Sequence, residues 1–475
     1  MVKNPIKFGT DGWRGVIAQD FTFDNVRVCA QGVADYLKEK GLAERGIIVG
    51  YDTRFASEDF AAVATAVLTG NGIKVYLCPE ATPTPVISYG VLAKKTGGAI
   101  IITASHNSGK WNGFKIKSES GSSVPTETIT EVEKNISQTL ATGGVSQLPL
   151  VEALEQGLVE YLDLSPLYFD QLNNLINLNE LRQSKLKVVV DSMYGAGIGY
   201  FKTLLSGGDI EITEINGERN PLFPGIRPEP IAVNLDKLSI AIKQQGADVG
   251  LATDGDADRI GIVDENGVFL DQLQVFALLA LYLLEVRGER GPIVKTTTTT
   301  NMLYRLGEMF NVPVYETLVG FKHVAPLMVA KDALIGGEES GGYGFRGHVM
   351  ERDGILAGLY FLDLMVKTGK KPSELLAYLY SKVGPHYYKR VDIEFIAQER
   401  ENIINRIKSN MPDAIDGVKI VKSSAADGFR YVLADTSWLL IRFSGTEPVL
   451  RIYTETDSQT RADRMLELGK KLAGV

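Results

Sequence analysis

The chain has 475 residues, of which 44% are hydrophobic and 23% charged, a globular composition that excludes a disordered or collagen-like protein. Its formal net charge of −8 argues against general binding to nucleic acid or anionic membranes, since such binding needs basic surfaces. A single core rarely grows beyond about 250–300 residues, so we expect several domains.

Cysteine content and hydropathy indicate the compartment. Cys29 and Cys78 cannot form a disulfide framework and stand in no metal-binding spacing, so two buried free thiols are expected. The N-terminus has no apolar segment of a secretion signal, and the longest apolar run, 275–284, is too short to span a membrane. We therefore expect a cytoplasmic monomer or homodimer without a nucleic-acid or membrane partner.

One supersecondary unit recurs along the chain. A strand, a helix and a second strand are predicted in each of three segments, residues 46–79, 186–216 and 292–320. Each segment is a βαβ unit of roughly 30 residues, for which parallel pairing of the two strands is expected. The recurrence predicts an α/β fold with three similar mixed-sheet domains in series.

The last segment, from about residue 384, follows a different pattern. Predicted strands follow one another, with an amphipathic helix at 398–410 and a closing helix at 458–473. This order is typical of a smaller α+β domain. The predicted domains are 1–157, 158–268, 269–383 and 384–475.

The first motif whose side chains could take part in catalysis or binding is TASHNSGKWNGFK, residues 103–115. It comes directly after a predicted buried strand. Its polar side chains should lie at the carboxyl end of that strand, where open α/β sheets bind ligands. Ser105 beside His106 offers a nucleophile and a base, and Lys115 can hold an anion. A P-loop is excluded because Trp111 follows the Gly-Lys pair, and a polar turn without function is the alternative.

The second motif is TDGDADR, residues 253–259, between two predicted strands. The carboxylates of Asp254, Asp256 and Asp258 raise one another's pKa unless a cation compensates them. A hard cation such as Mg²⁺ suits an all-oxygen set of this kind. An EF-hand is disfavoured because Arg259 stands where its loop requires glycine, and a solvated acidic turn is the alternative.

Three further segments place polar side chains beside glycines. Residues 336–342, GGEESGG, present Glu338 and Ser340, which suit vicinal sugar hydroxyls, although a flexible acidic loop is the alternative. Residues 442–451, RFSGTEPVLR, form a turn whose arginine, serine and threonine side chains can surround a phosphate. Near the N-terminus, Arg14 lies beside glycines and can reach a phosphoryl group.

Taken in chain order, these motifs resemble those of the α-D-phosphohexomutase superfamily, the phosphoglucomutase and phosphomannomutase enzymes. TASHN, DGDADR, GEESGG and RFSGTEP each match a family motif, and the resemblance covers nearly the whole chain. It implies four domains around one central cleft, the fourth a mobile lid, and interconversion of hexose 1-phosphate and hexose 6-phosphate. A phosphoglucomutase is the leading expectation. The alternatives are a mutase for mannose or glucosamine phosphates and a Mg²⁺-dependent phosphatase.

The resemblance also implies roles for single residues. Ser105 would carry the transferred phosphoryl group, and Lys115 would transfer the proton. The other catalytic candidates are His106, Arg14 and Arg259. One Mg²⁺ per active site would be bound by Ser105, Asp254, Asp256 and Asp258, and glucose 1,6-bisphosphate would be the intermediate and activator. The candidate substrate-binding residues are Glu338, Ser340, Lys295, Arg352, Arg442, Ser444, Gly445, Thr446 and Arg451.

Two departures from the family pattern bear on this expectation. Phosphomannomutase-like members often end the sugar loop with histidine, whereas this chain has Gly342, which favours glucose. Arg352 stands where phosphoglucomutases have a candidate catalytic lysine. Because arginine stays protonated, Arg352 is left to anion binding.

Overall fold

Four sheets organise the chain. The computed structural model describes residues 6–9, 11–444 and 449–475. In that part of the chain, three mixed sheets are followed by one antiparallel sheet, which confirms the predicted fold class. Within the same residues, no helix is both long and apolar enough to cross a membrane. Cys29 and Cys78 are buried free thiols, as expected.

The first domain is a six-stranded sheet with helices against it. Its elements are β1 (Trp13–Val16), α1 (Phe23–Glu39), β2 (Ile47–Tyr51), α2 (Ser57–Gly70), β3 (Val75–Leu77), α3 (Thr84–Lys94), β4 (Ala99–Ile102), β5 (Trp111–Lys117), α4 (Thr126–Thr142), α5 (Leu150–Glu155) and β6 (Val159–Tyr161). The strand order is β1-β5-β4-β2-β3-β6. β2 and β4 are buried at every residue, as expected for parallel strands covered on both faces.

The second domain contains a five-stranded sheet of order β11-β10-β9-β7-β8. Its elements are α6 (Ser165–Leu175), α7 (Leu178–Arg182), β7 (Lys187–Asp191), α8 (Tyr200–Leu205), β8 (Glu211–Ile215), α9 (Asp236–Gln245), β9 (Val249–Thr253), β10 (Ile260–Asp264) and β11 (Phe269–Leu270). Strands β9 and β10 flank the aspartate motif, so it is not the helix-flanked loop of an EF-hand.

The third domain contains a four-stranded sheet of order β13-β12-β14-β15. Its elements are α10 (Gln272–Leu281), β12 (Ile293–Thr296), α11 (Met302–Phe310), β13 (Val314–Thr317), α12 (Phe321–Lys331), β14 (Ile335–Gly337), β15 (Tyr343–Phe345), α13 (Gly354–Thr368) and α14 (Pro372–Val383). The apolar run at 275–284 lies in α10 and the π-helical turn after it, buried in the core.

The fourth domain is an antiparallel sheet of order β16-β21-β20-β19-β18-β17 with two α-helices. Its elements are β16 (Tyr387–Glu394), α15 (Arg400–Ser409), β17 (Ala414–Ile415), β18 (Val418–Ser424), β19 (Phe429–Leu433), β20 (Trp438–Phe443), β21 (Val449–Thr456) and α16 (Gln459–Ala473). The predicted helix at 398–410 is a 3₁₀ turn, Ala397–Glu399, followed by α15.

A common strand order relates the first three sheets. The orders β5-β4-β2-β3, β10-β9-β7-β8 and β15-β14-β12-β13 are equivalent, with an antiparallel strand beside three parallel strands in each. The motifs at 103–110, 254–259 and 338–342 connect the first two strands of these three series. They are therefore one loop position repeated three times, at the carboxyl end of a parallel strand where α/β sheets bind ligands.

Two predicted domain limits differ from the observed sheets. β6 pairs with β3, so the first sheet continues past the predicted limit at residue 157 to Tyr161. β11 pairs with β10, so residues 269 and 270, assigned in the prediction to the third domain, belong to the second sheet. Both are very short edge strands, and their pairing depends on the neighbouring strand more than on a hydrophobic pattern of their own.

One apolar core runs through the first three domains, whereas the fourth has its own. Ile48, Leu251 and Leu356 come from three domains and belong to one buried cluster. Ile441 and Ile452 belong to a separate cluster within the fourth domain. Polar contacts across its boundary, such as the pair of Arg430 with Glu316, help to hold the fourth domain against the third.

Candidate active site

Ser105 lies in the loop between β4 and β5, with only 1% of its surface exposed. Its φ of +51° is in the left-handed region that side chains disfavour. Thr103 Oγ1 supports this conformation by accepting a hydrogen bond from Ser105 N at 2.8 Å. The Ser105 hydroxyl donates to Asp254 Oδ2 at 2.7 Å and lies 3.3 Å from His106 Nδ1. The loop thus directs the serine at the aspartate motif of the second domain.

The close approach of the two loops requires glycine at position 255. A Cβ atom there would lie 2.3 Å from the carbonyl oxygen of Ser105. Any larger residue would push the aspartate loop away from the serine loop. Gly255 within DGDADR is therefore required sterically, because the loops of two domains contact each other at this position.

Arg54 holds the serine loop from within the first domain and was not among the residues selected from the sequence. Its guanidinium is fully buried and pairs with Asp52, with Nε 3.0 Å from Oδ2. Its Nη atoms donate, over 2.6 to 3.0 Å, to the carbonyl oxygens of Ser105, Asn107, Ser108 and Trp111. Arg54 follows β2, whose carboxyl end lies at the same sheet edge as the loop, which is the signal that could have identified it.

Asp254, Asp256 and Asp258 form a buried carboxylate cluster, with one oxygen from each within 4.8 Å of the others. Oδ1 of Asp256 and Oδ1 of Asp258 have no hydrogen-bond partner among the described residues. Burial and the two neighbouring carboxylates raise the pKa of Asp254 well above its ordinary value. Two orphaned oxygens in an all-oxygen set fit a hard divalent cation, because buried charge is costly unless compensated.

Lys115, on β5, compensates part of this charge. Its Nζ lies 2.6 Å from Asp256, 3.3 Å from Asp258 and 2.9 Å from Asp11. Burial lowers the pKa of Lys115, but the three carboxylates outweigh burial and the net pKa is raised. The side chain is therefore a protonated ammonium in this arrangement.

Arg352, in the third domain, joins the carboxylate cluster to the sugar-loop motif. Its Nη2 lies 2.8 Å from Asp258 and 2.5 Å from Asp11, and its Nη1 lies 3.3 Å from Glu338. A second buried ion pair, Lys117 with Glu351 at 2.6 Å, is joined to these contacts, since Glu351 lies 3.5 Å from Arg352 Nε. The first, second and third domains therefore meet through paired charges at the predicted site.

Two predicted catalytic arginines lie beside the serine loop, and the third candidate, His106, is part of it. Arg14 Nη1 donates to the side-chain oxygen of Asn107 at 2.6 Å. Arg259 Nε lies 4.0 Å from Asp254 and 3.9 Å from Asp258. Burial, followed by Arg259 and Arg14, lowers the pKa of His106 well below its ordinary value, so its ring is neutral and can accept a proton.

The predicted phosphate-binding residues lie in the fourth domain. Arg442 on β20 is opposite Arg451 on β21, and Arg442 Nε donates to Asp427 at 2.8 Å. Ser444 is the last described residue before the predicted turn. Gly445 and Thr446, predicted for the same turn, lie outside the described residues.

Lys295, a predicted substrate-binding residue, contacts other residues of the third domain. It is buried, donates to the carbonyl of Thr299 at 3.1 Å and pairs with Glu316 at 3.2 Å. Burial lowers its pKa to about 8, against the opposing effect of Glu316. Since Glu316 also binds Arg430, Lys295 belongs to the boundary between the third and fourth domains. Its role in substrate binding stays a prediction.

Replacing Arg54 by lysine should loosen the serine loop, because one ammonium cannot reproduce the planar set of donors. We expect amide exchange in the peptide 103–111 of Arg54→Lys to rise at least about tenfold, as loss of a charge-assisted hydrogen bond predicts. Hydrogen–deuterium exchange with mass spectrometry measures this. Arg182→Lys, which removes donors to Leu204 and Asn179 far from the loop, is the control. Unchanged protection of the loop in Arg54→Lys would contradict the account.

Comparison with known proteins identifies the family. The phosphoglucomutase/phosphomannomutase models for α/β/α domains I, II and III match residues 5–142, 166–267 and 271–383, and the C-terminal domain model matches 406–468. A phosphoglucomutase/phosphomannomutase of Thermococcus kodakarensis is 31% identical, over 98% of both chains. A phosphoglucosamine mutase of Desulforamulus reducens is 30% identical, over 97% of this chain and 98% of its own.

Comparison with solved structures indicates the same family. A solved structure from Thermus thermophilus, assigned as a phosphomannomutase, superimposes with a TM-score of 0.86 at 35% identity, and covers 99% of both chains. The four domain matches follow one another in chain order, and the relatives are matched over almost their whole length. The chain therefore belongs to the phosphoglucomutase/phosphomannomutase family of phosphohexomutase enzymes.

Proposed function

We propose that this chain interconverts hexose 1-phosphate and hexose 6-phosphate, with glucose as the preferred sugar, through a phosphoryl group carried on Ser105. The observation that carries the proposal is the 2.7 Å contact of Ser105 Oγ with Asp254. Through this contact, a nucleophilic oxygen lies against a buried carboxylate cluster whose negative charge is only partly compensated. Phosphoryl transfer needs chiefly positioning and charge stabilisation, and this arrangement offers both.

The metal set assigned to this site is Ser105, through an oxygen of its phosphoryl group, with Asp254, Asp256 and Asp258. The two orphaned carboxylate oxygens support that assignment. When bound there, Mg²⁺ would neutralise charge on the phosphoryl oxygens. The residues themselves supply the anionic cage, and the neighbouring Lys115 and Arg352 limit its net charge.

The exchange requires a proton to move at both oxygens. As the bond from phosphorus to Ser105 Oγ breaks and the bond to a sugar hydroxyl forms, the hydroxyl loses a proton and Oγ gains negative charge. We assign proton transfer to Lys115, whose ammonium lies within the carboxylate cluster that Oγ contacts and can donate a proton to Oγ as the bond to phosphorus breaks. The proton that the sugar hydroxyl loses needs a neutral acceptor, and His106, neutral and 3.3 Å from Oγ, is the second candidate in the transfer and can take this part.

Substrate binding is assigned to two further parts of the chain. Glu338 and Ser340 would bind the sugar hydroxyls, and Arg352 would hold Glu338 in place. The distal phosphate is assigned to Arg442, Ser444, Gly445, Thr446 and Arg451. A phosphate held in the fourth domain, opposite Ser105, lets the 1,6-bisphosphate present either end to the serine after it turns over. Glucose 1,6-bisphosphate is accordingly assigned as intermediate and activator.

Replacing Ser105 by alanine should abolish mutase turnover, because the phosphoryl carrier is lost. We expect kcat to fall at least about 10³-fold, as removal of a nucleophile does in other enzymes. A coupled assay of glucose 1-phosphate conversion with glucose 1,6-bisphosphate present measures this. Ser108→Ala, in the same loop, should keep most of the activity. Full turnover in Ser105→Ala would refute the proposed mechanism.

Magnesium should stabilise the native protein through the aspartate cluster. At a concentration of Mg²⁺ a hundred times its Kd, about 2.7 kcal/mol of stabilisation is expected. Asp256→Asn should remove most of that gain, and Asp209→Asn, at an exposed position, should retain it. Thermal unfolding with and without Mg²⁺ is the measurement. Equal stabilisation of wild type and Asp256→Asn would show that the ion binds elsewhere.

The choice of sugar is tested by a substrate panel. The GEES sequence favours glucose, and so does Gly342, which stands where phosphomannomutase-like members often have histidine. The relatives, however, are named for mutases of glucose, mannose and glucosamine phosphates. We expect kcat/KM for glucose 1-phosphate to exceed that for mannose 1-phosphate and glucosamine 1-phosphate by at least about tenfold, the effect of about one hydrogen bond. A higher value for either of the other two sugars would reassign the substrate. Inorganic phosphate as the main product would indicate a phosphatase.

A further inference from the structure

Glu339 lies between the two residues assigned to the sugar, yet its carboxylate contacts the fourth domain. Glu339 Oε1 accepts hydrogen bonds from the hydroxyl of Tyr388 at 2.7 Å and from Arg390 Nη1 at 3.1 Å. Both partners belong to β16. The loop of residues 336–342 is thus attached to the domain that is assigned to hold the distal phosphate.

The contact continues toward the predicted phosphate-binding arginines. Arg390 binds Asp392 through two bonds, from Nε at 2.6 Å and from Nη2 at 2.7 Å. Asp392 lies opposite Arg451 in the pairing of β16 with β21, with its Oδ2 3.5 Å from Arg451 Nε. Arg451 in turn lies opposite Arg442. A continuous series of charged contacts therefore runs from the sugar loop to the phosphate-binding strands.

These contacts can affect the position of the fourth domain because its buried apolar residues form clusters separate from the large core of the first three domains. The side chain of Glu339 is 18% exposed and that of Arg390 is 31% exposed, so solvent partly screens this ion pair. Tyr388 is partly buried, and burial, followed by Glu339, raises the pKa of its hydroxyl well above the ordinary value, so it stays a hydrogen-bond donor.

We propose that Glu339, Tyr388 and Arg390 form a latch that couples the sugar-reading loop to the phosphate-holding domain. Glu339 is a positioning residue: it fixes the loop that presents Glu338 and Ser340 when the fourth domain has engaged the phosphate. The latch rests on the proposed function, since it takes these two parts of the chain as the sugar and phosphate subsites. If the two subsites are coupled, the affinity for a whole sugar phosphate is higher than the separate affinities for the sugar and for phosphate predict.

The test compares Glu339→Ala, Glu339→Gln, Tyr388→Phe and the Glu339→Ala/Tyr388→Phe double variant in steady-state turnover of glucose 1-phosphate. Inhibition by inorganic phosphate, a probe that needs only the phosphate subsite, is measured in parallel. We expect Glu339→Ala to raise KM about tenfold, as loss of charge-assisted hydrogen bonds predicts, while the inhibition constant of phosphate changes less than about twofold. Glu339→Gln, which keeps an acceptor for Tyr388, should recover part of the loss. The double variant should be no worse than Glu339→Ala within about twofold, because both changes break one contact.

A matched control exists in the third domain. Glu285 accepts a hydrogen bond from the hydroxyl of Tyr378 and pairs with Lys382 at 2.8 Å, a similar set of contacts made wholly within the third domain. Glu285→Ala should leave KM and the phosphate inhibition constant unchanged.

Each result bears on one proposal or the other. A wild-type KM in Glu339→Ala overturns the latch, and so does an equal rise of KM and the phosphate inhibition constant, because the residue would then only support the domain. Fully additive effects of Glu339→Ala and Tyr388→Phe overturn it as well. Absence of mutase turnover in the wild-type protein overturns the proposed function, and the latch with it.

Discussion

Three buried carboxylates beside one serine are the constraint on which the rest of the site depends. Asp254, Asp256 and Asp258 lie within 4.8 Å of one another, and two of their oxygens have no hydrogen-bond partner among the described residues. Removing like charges from water at this separation is unfavourable unless cations compensate them. Lys115 from the first domain and Arg352 from the third supply part of that compensation. Charges from three domains therefore meet at the carboxylates, and the two unpartnered oxygens fit a divalent ion.

The repeated architecture explains why the chemistry collects there. The serine, aspartate and sugar motifs connect equivalent strands of three related sheets, each at the carboxyl end of a parallel strand. Packing the three domains on one shared core brings these loop ends together. The fourth domain has a buried cluster of its own and contacts the third domain through polar groups such as Tyr388 and Arg390, which is compatible with the phosphate-binding role proposed for it.

Sequence reasoning identified the loops because their chemistry is local. Three alternating aspartates, or a serine after a buried strand, are recognisable within a few residues. It did not identify Asp11, which contacts Arg352 across 341 positions, or Arg54, whose role depends on four carbonyl groups of a distant loop. Such contacts follow from tertiary packing, which no periodicity encodes. The same holds for the short edge strands β6 and β11, whose pairing carries two sheets past the predicted domain limits.

The most direct test of the central claim is the location of the phosphoryl group. Dephosphorylated protein is incubated with glucose 1,6-bisphosphate and Mg²⁺, and the modified peptide is identified by mass spectrometry. The account predicts one phosphoryl group per chain, on Ser105, that is transferred to glucose 1-phosphate when this sugar is added in excess. Stable modification at another residue, or an unmodified Ser105 in protein that still turns over substrate, would contradict it.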